Sequence, residues 1–441
     1  MRSKRLTLLA TAAVLTLGAM PSAFAQNLRE LYEAARAFDA TYLSAQAQSR
    51  AAEFKRAQAD ALNRPSAALT AGASAGYVNP DNAPGGDSNT LNAALQGRYA
   101  LFNRSNAATV DQAQQALLLA QADLAAAEQD LIVRVAQAYF DVLGAQDTLA
   151  TVRGSKAATA EQLASAKRAF EVGTATITDA REAQSRFDLD VAREIAADND
   201  LRAKHIALDT VVGRTAVDPK PLALPALMPP VMPADPEVWV SSADAQHPTI
   251  QRARAALQIA TLEIDRAKAA DSPTLDAVAS LGAARYSGRY PQGVAGAPTT
   301  TASIGLQFNL PLYTGGATRN RIAETRALEE KASSDLAAAR RGVAQGTRVA
   351  YFGVQSGSAQ VKALEAAEAS SKLSLEATQL GYKVGVRVNL DVLNAQSQLF
   401  QTERDLARAR YDVLVGNLRL RQAAGQLATG DIDAINALLA K

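Results

Sequence analysis

The 441-residue chain carries 46 basic and 44 acidic residues, has no cysteine, and is only 5% aromatic. That balance excludes the basic excess expected of a nucleic-acid-binding protein, and the missing cysteine excludes disulfides and removes the thiolate ligands of structural zinc sites. Abundant alanine, with Gln, Arg and Glu spread through long stretches, suits long helices with thin small-residue seams better than the thick core of a globular enzyme.

Residues 1–25 read as a secretory leader. Arg2, Lys4 and Arg5 precede an apolar run from Leu6 to Met20, then Pro21 and the small-x-small sequence Ala23-Phe24-Ala25, with cleavage expected after Ala25. Three of the 46 basic residues lie in this leader, leaving 43 against 44 acidic ones, a net charge of −1. No later segment reaches the roughly 20 apolar residues that a membrane helix needs. A membrane span in this chain would have to be built from β-strands, since only helices and closed barrels satisfy every backbone polar group in lipid.

The mature part reads as two copies of one unit, residues 26–213 and 236–428, joined by a proline-rich linker at 214–235 and followed by a tail at 429–441. Tyr139 aligns with Tyr351, Gly173 with Gly385, Asp179 with Asp391 and Gly213 with Gly425, all at an offset of 212. In the first unit the pattern predicts a helix over 27–62, strands over 66–78 and 91–102, and helices over 104–171 and 177–212. The second unit repeats it, with a helix over 237–271, strands over 274–286 and 299–312, and helices over 316–382 and 389–427.

The strands alternate. Ala302, Ile304, Leu306, Phe308, Leu310 and Leu312 share one face, and Thr301, Ser303, Gly305, Gln307 and Asn309 the other. Runs of about ten alternating residues match tilted strands that cross a bilayer with one face to lipid and one to water; a half-buried sheet in a soluble domain has the same period. Loops near 79–90 and 287–298, rich in Pro, Gly, Asn and Asp, suit the outer end of such strands. Four strands cannot close a barrel, which needs about 8, so several chains must contribute. Two copies would supply eight and three would supply twelve.

The last long helix repeats Val392, Leu399, Leu406, Val413, Leu420 and Leu427 every seven residues, with small residues such as Ala395, Thr402, Ala409, Gly416 and Ala423 three places on. A sustained heptad seam packs helix on helix. Each pair of long helices meets at a short turn. The turns contain Val172-Gly173-Thr174 and Val384-Gly385-Val386, and Thr178 and Asn389 stand where a helix cap would serve.

These features together resemble the TolC family of outer-membrane efflux and secretion channels. The resemblance rests on the Val-Gly-x-x-x-x-x-Asp turn in both units, on Val392-Leu393-Asn394-Ala395-Gln396 after the second, on the proline-started strand pairs and on the duplication. It implies an α+β membrane protein: a long-helix α-barrel plus an outer-membrane β-barrel completed by trimerisation, four strands per chain, with the helices extending into the periplasm. It also implies a periplasmic gate at Thr178, Asp179, Tyr382 and Arg387, with Arg387 paired to Asp179, and a constriction ring at Asp391. Asn394 stands where the family often carries a second aspartate. The turns at Val172, Gly173, Thr174, Val384, Gly385 and Val386 would receive a periplasmic adaptor (a membrane fusion protein). An inner-membrane ABC or proton-driven transporter would supply the energy, and the trimer would sit in outer-membrane lipid with no cofactor, metal or nucleic acid.

His205 and His247, the two histidines, share no metal-binding spacing with acidic residues, and the chain has no phosphate loop or nucleophile elbow. The expected function is therefore the exit duct of a tripartite efflux pump or type I secretion system, without enzymatic activity. The competing readings are an exported coiled-coil structural or surface protein, which leaves the paired strands unexplained, and a free-standing porin, which leaves the long helices unexplained.

Overall fold

A computed structural model describes residues 26–79, 81, 84–223, 230–288 and 298–440. The leader expected at 1–25, the centre of the linker and parts of both strand-connecting loops lie outside the described residues. The elements in chain order are α1 (Leu28–Phe38), α2 (Ala40–Asp60), β1 (Ser66–Val78), β2 (Gly86–Phe102), α3 (Arg104–Glu171), α4 (Ile177–Val212), α5 (Pro236–Gln246), α6 (Pro248–Ala269), β3 (Thr274–Gly288), β4 (Pro298–Asn309), α7 (Ala317–Lys383), α8 (Asn389–Ala423) and α9 (Thr429–Asn436).

The four strands form one antiparallel sheet in the order β1-β2-β3-β4. Register carries the alternation across all of it. Leu69, Leu95, Leu281 and Ala302 stand in one row, and Ala67, Gly97, Ala279 and Ile304 in the next row of the same face. Gln96, Ser280 and Ser303 fall in a row of the opposite face, where the two serine hydroxyls are 2.8 Å apart. On β3 the odd-numbered side chains beyond Val278 are exposed and the even-numbered ones half-buried, as in a sheet that curls around its polar face. Among the described residues, both β1 and β4 keep an edge without a neighbouring strand.

Helices α3 and α7 run for 68 and 67 residues, or roughly 100 Å each at about 1.5 Å per residue. Each folds back against its partner, α3 on α4 and α7 on α8. The heptad positions of α8 are buried, from Val392 at 1% exposed through Leu406 at 2% to Leu420 at 1%. A Cβ at Gly357 of α7 would lie 3.0 Å from Val413, and one at Gly416 of α8 would lie 3.3 Å from Val354. Small residues thus set the close approach of this pair.

Two helices expected to be continuous are each broken once. In 27–62 the break is at Asp39, whose extended backbone (ψ 115°) lets its carboxylate accept from the Tyr42 N–H at 2.8 Å and cap α2. In 237–271 it is at His247, because the following Pro248 disfavours helical backbone in the residue before it. His247 then caps α6, its Nδ1 accepting from the Thr249 N–H at 3.1 Å. The last long helix stops at Ala423 rather than 427. Gly425 takes the left-handed conformation (φ 71°) there, and the tail turns back into α9.

The largest core lies midway along the helices. It joins Leu31 and Tyr32 of α1, Tyr139 and Phe140 of α3, Leu208 of α4, Leu414 and Leu418 of α8, and Ile432 of α9. The first part of the linker, up to residue 223, passes over it, with a parallel bridge from Pro219 to Gln26 and an antiparallel bridge from Leu222 to Leu439. The repeated tyrosines hold this linker near both ends. Tyr139 Oη donates to the Lys220 carbonyl at 2.8 Å, and Tyr351 Oη donates to that of Ala234.

The Arg134 guanidinium grips Asp39 at 2.8 and 3.1 Å, and this ion pair, helped by the Tyr42 N–H, holds the Asp39 carboxyl below its ordinary value of 3.8. A depressed carboxylate pKa stabilises the fold fully above the unfolded value, and the contribution is lost as pH falls through the folded value. Asn caps a helix as well as Asp does, so Asp39→Asn isolates the ion pair. We predict a loss of about 1 kcal/mol at pH 7, constant down to about pH 5 and shrinking below about pH 4. Urea unfolding of wild type and variant across this range measures it; a difference that does not change with pH would show that the carboxylate charge contributes nothing.

Candidate functional site

The ends of the hairpins farthest from the sheet hold the residues singled out from the sequence. Both turns are built alike. After α3, the Gly173 N–H donates to the Phe170 carbonyl at 3.0 Å and the Thr174 N–H to that of Ala169 at 2.8 Å. After α7, the Gly385 N–H donates to the Tyr382 carbonyl at 3.1 Å and the Val386 N–H to that of Gly381 at 2.9 Å. This six-to-one, five-to-two pattern needs a left-handed residue, and Gly173 and Gly385 supply it at φ 80° and 84°. The closed backbone leaves apolar side chains outward: Val172, Val384 and Val386 are 73%, 65% and 75% exposed, and Thr174 is exposed as well.

Each turn is followed by a helix with an aspartate at its third position. The caps lie one or two residues earlier than Thr178 and Asn389. Thr176 caps α4, its Oγ accepting from the Asp179 N–H at 3.2 Å while Asp179 accepts from the Thr176 N–H at 3.0 Å. Val388 takes the equivalent position on α8 but has no side-chain acceptor, so only the return half exists, from the Val388 N–H to Asp391 at 3.4 Å. Thr178 is exposed.

This geometry decides the ion pairs within one chain. Arg387 was expected on Asp179; instead its carboxylate partner is Asp391, at 3.7 Å. Capping turns each aspartate toward its own turn, near the positive end of its own helix, and Asp179 also accepts from the Thr176 hydroxyl at 2.8 Å. Tyr382 is half-buried, and among the described residues its hydroxyl has no hydrogen-bond partner.

Other residues join the two hairpins. The amide of Asn389, only 2% exposed, donates to the Asp179 carbonyl at 3.3 Å and accepts from Gln162. Asn394 accepts from Arg186 at 2.9 Å. Leu393 packs into an apolar cluster with Leu163, Ala166 and Ala183. None of Gln162, Arg186 and the cross-hairpin role of Asn389 was anticipated. The repeat held a hint: Asn389 aligns with Ile177, which is 50% exposed, and a buried amide standing where the twin unit has an exposed aliphatic needs polar partners.

A sheet with one apolar and one polar face, joined on the same chain to two helical hairpins of roughly 100 Å, defines one segment of a membrane duct whose barrel is shared between chains. The chain belongs to the outer membrane efflux protein family, whose model matches residues 31–214 and 239–426. It is 33% identical to outer membrane protein TolC of Vibrio cholerae over 439 residues, covering 98% of each chain. It is also 33% identical over 317 residues to the alkaline protease secretion protein AprF of Pseudomonas aeruginosa, covering 70% of this chain and 64% of that one. Among solved structures it resembles the outer membrane protein VceC of Vibrio cholerae, with a TM-score of 0.76 at 20% identity over 90% of this chain and 96% of the other. The protein resides in the outer membrane, its helices extending into the periplasm.

Asn389→Ala removes the amide that Gln162 and the Asp179 carbonyl share. Loss of buried hydrogen bonds of this kind costs about 1–2 kcal/mol. Amide exchange of residues 177–183 is therefore predicted to speed up roughly five- to thirtyfold in the variant, while Ile177→Ala changes it little. Equal exchange in wild type and Asn389→Ala would mean that the two hairpins do not depend on this contact.

Proposed function

We propose that three copies of this chain assemble into a passive exit duct for an efflux pump or a type I secretion system. The observation that carries this reading is the union, on one chain, of a four-stranded membrane sheet with two open edges and hairpins long enough to cross much of the periplasm. Three chains give a cylinder of twelve strands standing on a tunnel of twelve long helices. The likeness to a channel named TolC and to a named protease secretion protein supports transport in both settings. The chain itself performs no catalysis. Energy comes from an inner-membrane ABC or proton-driven transporter, linked through an adaptor seated on the exposed Val172-Gly173-Thr174 and Val384-Gly385-Val386 turns. A strain lacking the protein should become sensitive to exported toxic compounds or stop secreting a protein substrate; a deletion that alters neither would count against the proposal.

The gate lies where the hairpin tips converge. Arg387 is 59% exposed on its side chain and reaches the Asp179 side of a neighbouring chain in the closed assembly, with Thr178 and Tyr382 beside it. Asp391 of three chains forms a negative ring that favours cations, softened by Arg387 next to each carboxylate. Arg387→Ser is predicted to raise single-channel conductance in planar bilayers, and an unchanged conductance would remove Arg387 from the gate. Replacing Gly385 by Arg should leave outer-membrane trimers in place yet abolish transport, since the left-handed backbone and the apolar turn are both lost; full transport by this variant would exclude the turn as the docking point.

A further inference from the structure

Along β3 the lipid-facing side of the sheet is apolar from its helix-proximal end up to Ala283. Reading outward along β3, that face presents Leu275, Ala277, Ala279, Leu281 and Ala283, and then Arg285 and Ser287. Arg285 stands in a row with Ala73 and Leu91, and Ser287 in a row with Ala75 and Asn89. Among the described strand residues of this face Arg285 is the only base. It is exposed, and among the described residues it enters no ion pair. The acidic Asp87 lies two rows farther out on β2 and is itself engaged.

Ten residue steps lead from Leu275 to Arg285. At about 3.3 Å per residue and a tilt of about 40°, they climb roughly 25 Å, the height of the apolar band of an outer-membrane barrel. The helices leave the opposite end of the sheet toward the periplasm. Arg285 therefore meets the polar boundary of the outer leaflet. The small side chains of Ala73 and Ala75 leave a depression of about 390 Å³ there, lined also by Asn89, Leu91, Arg285 and Ser287.

We propose that this depression binds the phosphate-bearing headgroup of an outer-leaflet lipid. The guanidinium forks onto phosphate oxygens, and Asn89 and Ser287 supply further donors from the neighbouring row. The aliphatic stem of Arg285 and the floor of Ala73, Ala75 and Leu91 meet the first carbons of the acyl chains. An arginine with no partner among the described residues, at the level where phosphate is dense and beside a depression that admits a headgroup, has its counter-charge supplied by the membrane. The site is remote from the hairpin tips and stands whether or not the tips form the gate.

The test uses the full-length assembly in dodecyl maltoside, stripped of lipid and titrated with bisphosphorylated lipid A, dephosphorylated lipid A or inorganic phosphate, with bound lipid counted by native mass spectrometry. Wild type should retain the bisphosphorylated lipid, and Arg285→Gln should bind it roughly ten- to a hundredfold more weakly. Arg285→Lys, which keeps the charge but not the fork, should fall between. Dephosphorylated lipid A should bind as weakly to wild type as bisphosphorylated lipid A binds to Arg285→Gln. Equal retention by wild type and Arg285→Gln, equal binding of both lipids to wild type, or displacement of lipid by an equal concentration of inorganic phosphate would each overturn the proposal. Should Arg285→Gln fail to assemble, Asn89→Ala serves in its place, with a several-fold weakening expected and undiminished binding decisive against the site.

Discussion

Hydrocarbon offers no partner to a backbone N–H or C=O, and an unpaired group there costs several kcal/mol. The four-stranded sheet leaves edges on β1 and β4, so one chain alone cannot be the membrane-embedded form. The same constraint explains why alternation is kept across all four strands in register. A slip of one residue would turn every leucine of the lipid face toward water. Closure between chains is thus demanded by the backbone itself, before any side chain is considered.

A second organising centre lies midway along the helices. The two long hairpins expose most of their length and share only thin seams. The bulky core gathers where α1, α9 and the linker cross α3, α4 and α8. Aromatic pairs repeated by the duplication mark this level: Tyr139 meets Phe140 edge-on at 5.4 Å, and Tyr351 meets Phe352 edge-on at 5.5 Å. Both tyrosines donate to linker carbonyls. The described linker residues lie in no helix or sheet that would satisfy their backbone, and these hydroxyls, with the bridges to Gln26 and Leu439, supply part of what they lack.

Much of this architecture was legible in the sequence, because long periodic elements announce themselves. The stretches read as 104–171 and 177–212 are α3 and α4, and 66–78 is β1. Strand alternation also separated the apolar face of the sheet from the polar one. What escaped were features set by one residue or by tertiary contact. The break at His247 was signalled by Pro248, whereas that at Asp39 depends on a cap and on Arg134, 95 positions away in the chain. Helix α9 gains its stability from burying Ile432 and Ile435 in the mid-level core, which a short window of sequence cannot reveal. At the tip, the resemblance drew attention to the turns but did not reveal the contacts inside a single chain. Capping held Asp179 and Asp391 to their own helices, and the link between hairpins fell to Gln162, Asn389, Arg186 and Asn394.

The position of the mid-level core has a mechanical meaning. From Tyr139 to Glu171, α3 extends 32 residues beyond that anchorage, a lever arm of roughly 48 Å at about 1.5 Å per residue. A swing of only about 5° about such a fulcrum carries the far end sideways by roughly 4 Å. The stiffness of a continuous helix transmits such a rotation along its whole length. Small rotations at the mid-level core are thereby amplified at the hairpin tips.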